Sequence, residues 1–347
     1  MTTNPETETV GANTCQICGK QFGSQHGVRT HTGLAHKSGL SVLPHPAGYE
    51  SGGGISVLPV NATDFIFSSV PPYIQQGEEL SVIEAHIESN VPLLLKGPAG
   101  VGKTLSFATV AVDKKMPIIQ FDCSEDVKRL DLLGRFVDVG VFNLGVIPTA
   151  IETANQVGRC MLIFEELNAL PPQQQKILNR LLDWRGNAYI QEIGRTYSLR
   201  DGCSIFVGAT SNPLGYGGTY DLNVDLKSRF SEYTFGYPTT EVEGKIIELY
   251  DGIDVDLMGK LITLAQETRT GKVSYAISPR DLSHFSKVYK ALKSRYSQGD
   301  AVKMALKVCI YNRYDDEQDR KVVVDRIGSI FGLTSTDMDG KTGVNYR

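Results

Sequence analysis

The chain has 347 residues, a formal net charge of −4, 41% hydrophobic and 21% charged residues. That length suits two globular domains with a small appendage, and the composition supports ordinary buried cores. The slight acidic balance, with no long run of one sign, speaks against a broad nucleic-acid surface. No apolar run approaches the ~18 residues of a membrane helix, and the polar start lacks the apolar core of a signal peptide, so a cytoplasmic chain with no membrane contact is expected. Six cysteines are few for this length, and two fall in a metal pattern, so no disulfide framework is expected.

Residues 1–14 are polar and Thr-rich and read as a mobile tail. Residues 15–37 follow as a unit. Cys15-x-x-Cys18 is followed by His31-x-x-x-x-His36, the ligand spacing of a two-Cys, two-His zinc finger, with Phe22 and Val28 as its miniature core. A segment of ~25 residues cannot fold on its own core, so Zn²⁺ is required. Counting back from His31, the positions that would face bases are Ser24, His26, Gly27 and Thr30, none suited to a bidentate base contact. Residues 1–40 carry Lys20, Arg29 and Lys37 against Glu6 and Glu8, a net of +1 that leaves −5 for the rest. A finger covering ~3 base pairs binds nucleic acid weakly, and a protein-docking finger is equally compatible. Residues 38–61 hold Pro44, Pro46, Pro59 and the run Ser51-Gly52-Gly53-Gly54 and read as a flexible linker.

From residue 62 the pattern tightens. Residues 73–89 carry helical periodicity through Leu80, Ile83 and Ile87. They lead into the apolar strand Val91-Pro92-Leu93-Leu94-Leu95 and then Gly97-Pro98-Ala99-Gly100-Val101-Gly102-Lys103-Thr104, with a helix-compatible run from Leu105 to Lys114. This is the G-x-x-x-x-G-K-[ST] phosphate-binding loop in the strand-to-helix context it requires. Its backbone N–H groups and the helix start face a phosphate, Lys103 reaches the β- and γ-phosphates, and the Thr104 hydroxyl goes to Mg²⁺, which implies a nucleotide with Mg²⁺ as the ligand.

Residues 116–122 form a short strand. Strands alternating with helices predict an α/β fold with a doubly wound parallel sheet over residues 62–238. Cys160-Met161-Leu162-Ile163-Phe164 is a buried strand ending in Glu165-Glu166-Leu167-Asn168, and two carboxylates at such a strand end can hold Mg²⁺ through water and polarise an attacking water. Residues 171–184 read as an amphipathic helix, and residues 188–191 and 196–199 as a hairpin. A strand over 203–209 delivers Thr210-Ser211-Asn212-Pro213, where the Asn212 amide can orient the lytic water. The glycine-rich loop of residues 215–220 precedes Asp225-Leu226-Lys227-Ser228-Arg229-Phe230. Residues 239–333 are helix-patterned throughout and form a separate α-helical lid containing Ser278-Pro279-Arg280, with Pro279 at a first helical turn. Residues 334–347 read as a frayed tail.

Taken together, residues 70–310 resemble the AAA+ ATPases, and more narrowly the MoxR-like group that includes CobS, NorQ and CbbQ. The resemblance rests on Gly97 to Thr104, Leu162 to Asn168, Ala209 to Pro213 as sensor one, Leu226 to Phe230 as the arginine-finger segment, and Ser278-Pro279-Arg280 as sensor two. Residues 131–135 and 142–148 look like that group's insertion in its second helix, and residues 189–198 like its second hairpin, both projecting in the family toward substrate or a central pore. A finger joined to such a motor also resembles CobS-like proteins of some bacteriophages.

The resemblance implies ATP hydrolysis in a homo-oligomeric ring of six. Glu165 would serve the water shell of Mg²⁺ and Glu166 would activate water. Asn212 would act as sensor one, Arg229 as a finger on the neighbour's γ-phosphate, and Arg280 as the lid's nucleotide sensor. The family usually has Asp where this chain has Glu165, which leaves the separation of the Glu165 and Glu166 roles open. The implied work is remodelling or activation of a protein partner, with a chelatase-like role and a von Willebrand-type partner as its narrower forms. A DNA-associated motor tethered by the finger and a nucleotide-gated adaptor are the competing readings.

Overall fold

A computed structural model describes residues 55–183, 185–213, 220–249, 253–271 and 273–339. Cys15, Cys18, His31 and His36, and with them the expected finger, lie outside the described residues, as do residues 214–219 of the glycine-rich stretch. The described strands are β1 (Ser56–Val57), β2 (Leu93–Lys96), β3 (Ile118–Asp122), β4 (Gly134–Asp138), β5 (Val141–Leu144), β6 (Arg159–Glu165), β7 (Asn187–Ile190), β8 (Arg195–Ser198), β9 (Ser204–Ser211) and β10 (Ser231–Thr234). The helices of the sheet domain are α1 (Glu79–Ser89), α2 (Lys103–Asp113), α3 (Arg129–Leu133), α4 (Val146–Val157), α5 (Pro172–Leu182) and α6 (Val224–Lys227).

The main sheet runs β10-β2-β9-β6-β3 and is parallel at every pairing. Its apolar strands are buried on both faces, as a helix-covered parallel sheet requires. Alternate side chains divide between two cores: Leu93, Leu95, Met161 and Ile163 pack with Phe107 and Val110 of α2, whereas Leu94, Leu162 and Phe164 pack with Ile147 and Ile151 of α4. All parallel strands therefore deliver their carboxyl ends to one edge. The residues after β2, β6 and β9 meet there.

Three local expectations are corrected, and one strand is added. Residues 55–58, inside the expected linker, are not free: β1 pairs in parallel with β5, and the Leu58 N–H donates to the Phe142 carbonyl at 2.9 Å. The helix expected from residue 73 begins at Glu79, because the Glu79 carboxylate accepts the N–H groups of Gln76 and Gly77 and holds residues 73–77 outside the helix. β10 had no sequence reading. Its polar Ser-Glu-Tyr-Thr becomes an edge strand by pairing with β2. In the tail, residues 335–339 form a helical turn whose Met338 is fully buried in the lid core.

The insertion between α3 and α4 is an antiparallel β4–β5 hairpin with β1 added at its edge. Past the sheet come α7 (Thr240–Glu248), α8 (Val255–Thr268), α9 (Pro279–Lys293), α10 (Gln298–Cys309), α11 (Glu317–Phe331) and α12 (Ser335–Asp339). They enclose their own core around Leu261, Phe285, Tyr289, Leu306 and Ile327. A buried ion pair locks the entry to this lid. Arg269 reaches Glu243 at 2.6 Å, donates to the Ile277 carbonyl and stacks 4.1 Å from the Tyr237 ring. Among the described residues, no helix is long and apolar enough to cross a membrane.

Candidate functional site

The loop after β2 folds as a cradle because its glycines accept backbone shapes closed to other residues. Gly97 and Gly100 have φ of +151° and +76°. A Cβ at Gly97 would lie 2.4 Å from the Phe235 carbonyl oxygen, and one at Gly100 would lie 2.5 Å from Ser278 Oγ. The loop ends on the first turn of α2, where unpaired N–H groups favour an anion.

Lys103 is only 7% exposed. Its ammonium donates to the carbonyls of Gly97 (2.8 Å) and Pro98 (2.7 Å) and to Asn212 Oδ1 (3.0 Å). Burial lowers its pKa from 10.5 to about 8, against the pull of Glu166 and with the help of Arg280. Asn212 then donates from Nδ2 to Glu166 Oε1 at 3.0 Å. One amide thus joins the phosphate-loop lysine to the second carboxylate of β6.

The two carboxylates have different hydrogen-bond partners. Glu165 accepts from the Thr104 hydroxyl at 2.9 Å and from the Gln120 amide at 3.2 Å, and burial pushes its carboxyl above the usual range. Glu166 has φ of +51°, a left-handed conformation uncommon for a residue with a side chain, and its N–H donates to Thr210 Oγ1 at 3.0 Å. That turn aims consecutive side chains in different directions, Glu165 toward Thr104 and Glu166 toward Asn212. The two acids thus have different hydrogen-bond partners while lining the same cleft.

A cleft of about 700 Å³ opens over these groups. Ala99 to Leu105, Glu165, Glu166, Asn212 and Arg280 all line it. Gly97 and Pro98 contribute through their carbonyls to Lys103. Arg280 reaches the cleft from the first turn of α9, which is fixed by Pro279 and by a capping box between Ser278 and Asp281. Arg229 does not line it; its Nε donates to Asn179 Oδ1 on α5 at 3.3 Å.

Sequence reasoning passed over Tyr73, Gln76, Gln120 and His284, which also line the cleft. Gln120 left a faint signal as the one amide in an apolar strand. The other three left none, since their place depends on how segments distant in sequence meet.

The donor set fits a magnesium nucleotide. A cradle closed to side chains faces a buried ammonium, and a hydroxyl lies within hydrogen-bond reach of a carboxylate. Residues 93–232 match the model of the ATPase family associated with various cellular activities (AAA). The chain is 27% identical over 205 residues to Protein CbbQ of Hydrogenophilus thermoluteolus, covering 59% of this chain and 75% of that protein. It is 28% identical over 199 residues to Protein NorQ of Paracoccus denitrificans, covering 57% and 72%. It is also 28% identical over 204 residues to the denitrification regulatory protein NirQ of Pseudomonas aeruginosa, covering 58% and 76%. By its phosphate loop, its parallel sheet and these matches, the chain carries an AAA ATPase domain over residues 93–232 and is similar to CbbQ, NorQ and NirQ.

Proposed function

We propose that the chain works as a ring-forming AAA motor in which each cleft is completed by Arg229 of a neighbouring copy, and that the ring remodels or activates a protein partner. The position of Arg229 carries this reading: it is anchored on α5 through Asn179 and is absent from the lining of its own cleft. An arginine that stabilises transition-state charge has to reach the phosphates, so it must act on another subunit. The resemblance supports a ring of six. The partner would be a protein, a reading that the similarity to NirQ, named a denitrification regulatory protein, supports, and metal insertion is a narrower form of the same work.

In this reading the N–H groups of residues 99–104 and the Lys103 ammonium bind the phosphates, and Thr104 and Glu165 hold Mg²⁺, Glu165 through water. Bound Mg²⁺ neutralises charge developing on the phosphate oxygens. Glu166 takes the proton from the attacking water, Asn212 fixes the Glu166 carboxylate and that water, and Arg280 brings the lid down. Cys15, Cys18, His31 and His36 would bind one Zn²⁺, and the finger would dock the motor on a protein. Metal analysis of the full chain should find one zinc per protomer, lost on Cys15→Ser; a zinc-free full chain would remove the finger from the proposal.

Mixing two inactive variants tests the shared site. Arg229→Ala keeps Glu166 but lacks the finger, and Glu166→Gln keeps the finger but lacks the base. In randomly mixed rings, half the clefts keep Glu166 and half of those face an intact Arg229, so about one quarter of wild-type ATPase should return. A mixture no more active than the two variants apart would refute the ring.

A further inference from the structure

Glu79 is a carboxylate with 1% exposure at the first position of α1. Among the described residues, no lysine or arginine forms an ion pair with it. Burying an ionised carboxylate without a counter-charge is costly, so the contacts that compensate it identify what it organises. Oε1 accepts from the Tyr73 hydroxyl and the Gln76 N–H, both at 2.7 Å, and Oε2 accepts from the Gly77 N–H at 2.7 Å. The positive end of the α1 dipole adds to this.

Two of the three residues that Glu79 anchors belong to the cleft wall. Tyr73 and Gln76 line the cleft. The Gln76 amide donates to the Val101 carbonyl of the phosphate loop at 2.5 Å. The Tyr73 ring passes so close that a Cβ at Gly102 would lie 3.0 Å from its Cε2. Burial and the Glu79 contact push the Tyr73 phenol far above its usual range, so the hydroxyl remains a donor. A chain of contacts runs from Glu79, through Tyr73 and Gln76, to Val101 and Gly102.

We propose that Glu79 is a positioning residue for nucleotide binding, holding the cleft wall of residues 73–77 against the phosphate loop before ATP arrives. Without it, residues 73–77 lose their three shared anchors and must be ordered by the nucleotide itself, which charges that entropy to binding. The wall touches the ground state and the transition state alike, so its loss raises KM and leaves kcat nearly unchanged.

The test uses full-length Glu79→Gln, Gln76→Ala and Tyr73→Phe chains, a fluorescent ATP analogue with Mg²⁺ for the dissociation constant, and steady-state ATPase for kcat and KM. Glu79→Gln should weaken binding about tenfold and raise KM to match, with kcat within about twofold of wild type. Gln76→Ala, which loses one hydrogen bond at a half-buried position, should weaken binding about threefold. A lower melting temperature of the nucleotide-free Glu79→Gln chain with an unchanged dissociation constant would mean a purely structural carboxylate and would overturn the proposal. If Glu79→Gln does not fold, unchanged binding in both Gln76→Ala and Tyr73→Phe overturns it equally. Binding is read without reference to subunit exchange, so failure of the Arg229 mixing experiment leaves this test intact.

Discussion

Nucleotide binding should take up a proton at Lys103 once the pH exceeds about 7.5. Burial lowers its pKa to about 8 in the empty cleft, whereas triphosphate oxygens beside the ammonium must raise it again. Affinity should therefore be level up to about pH 7.5 and fall as the empty chain loses this proton. With a pKa of about 8, some nine-tenths of the lysine is charged at pH 7 and about one-tenth at pH 9, so the dissociation constant should rise about tenfold between them. The terminal phosphate, with a second pKa of about 6, is ionised across that range and adds no slope. For the stability of the empty chain the sign reverses. The unfolded lysine keeps its ordinary value of 10.5 and binds the extra proton between about pH 8 and 10.5, so this group makes folding more favourable as pH rises through that window. Binding of a fluorescent nucleotide from pH 7 to 9.5, with calorimetry in buffers of different ionisation enthalpy, reads both affinity and proton count. Lys103→Arg, charged throughout, should lose the slope. A wild-type affinity constant from pH 7 to 9.5 with no proton uptake would refute the burial argument.

Two further outcomes follow from the same geometry. Glu165→Ala removes the carboxylate facing Thr104 and Gln120 and should raise the Mg²⁺ concentration for half-maximal ATPase by about tenfold, as loss of an outer-shell ligand does; an unchanged Mg²⁺ requirement would exclude Glu165 from the metal site. Arg269→Ala strands the Glu243 carboxylate, which is fully buried, and should cost about 3 to 5 kcal/mol in chemical denaturation; a loss below 1 kcal/mol would show that the pair does not hold the entry of the lid together.

The readable parts of the sequence were those whose structure is set locally. β6 announces itself as Cys160 to Phe164 because a strand covered on both faces needs an unbroken apolar run, and β7–β8 because Gly194 takes the left-handed turn between two β-rich stretches. β10 was not readable. Glu232 and Thr234 point outward from an edge strand, and only pairing with β2 makes Ser231–Thr234 a strand at all. The short helix at Ser335 was hidden for the same reason, being fixed by Met338 in the lid core and by Lys303 on Asp337 at 2.6 Å. Within the cleft, Lys103, Glu165 and Glu166 carry their chemistry in motifs of fixed spacing. Tyr73 and Gln76 act through Glu79 and through the phosphate loop about 25 residues away, a relation that no periodicity records.

The glycines of the phosphate loop answer to more than the phosphate. Room for backbone N–H groups to converge on an anion explains their positive φ values, but not why Gly97 lies against Phe235, just past β10, or why Gly100 lies against Ser278, the cap of the helix that carries Arg280. A side chain at Gly100 would collide first with the lid. A bulge there would therefore separate Arg280 from the phosphates even if the cradle still formed. The end of the sheet, the lid cap and the Tyr73 wall each come up against a different glycine of the loop. In the proposed reading, nucleotide in the loop would bear on the lid at Gly100, where the lid cap Ser278 comes closest.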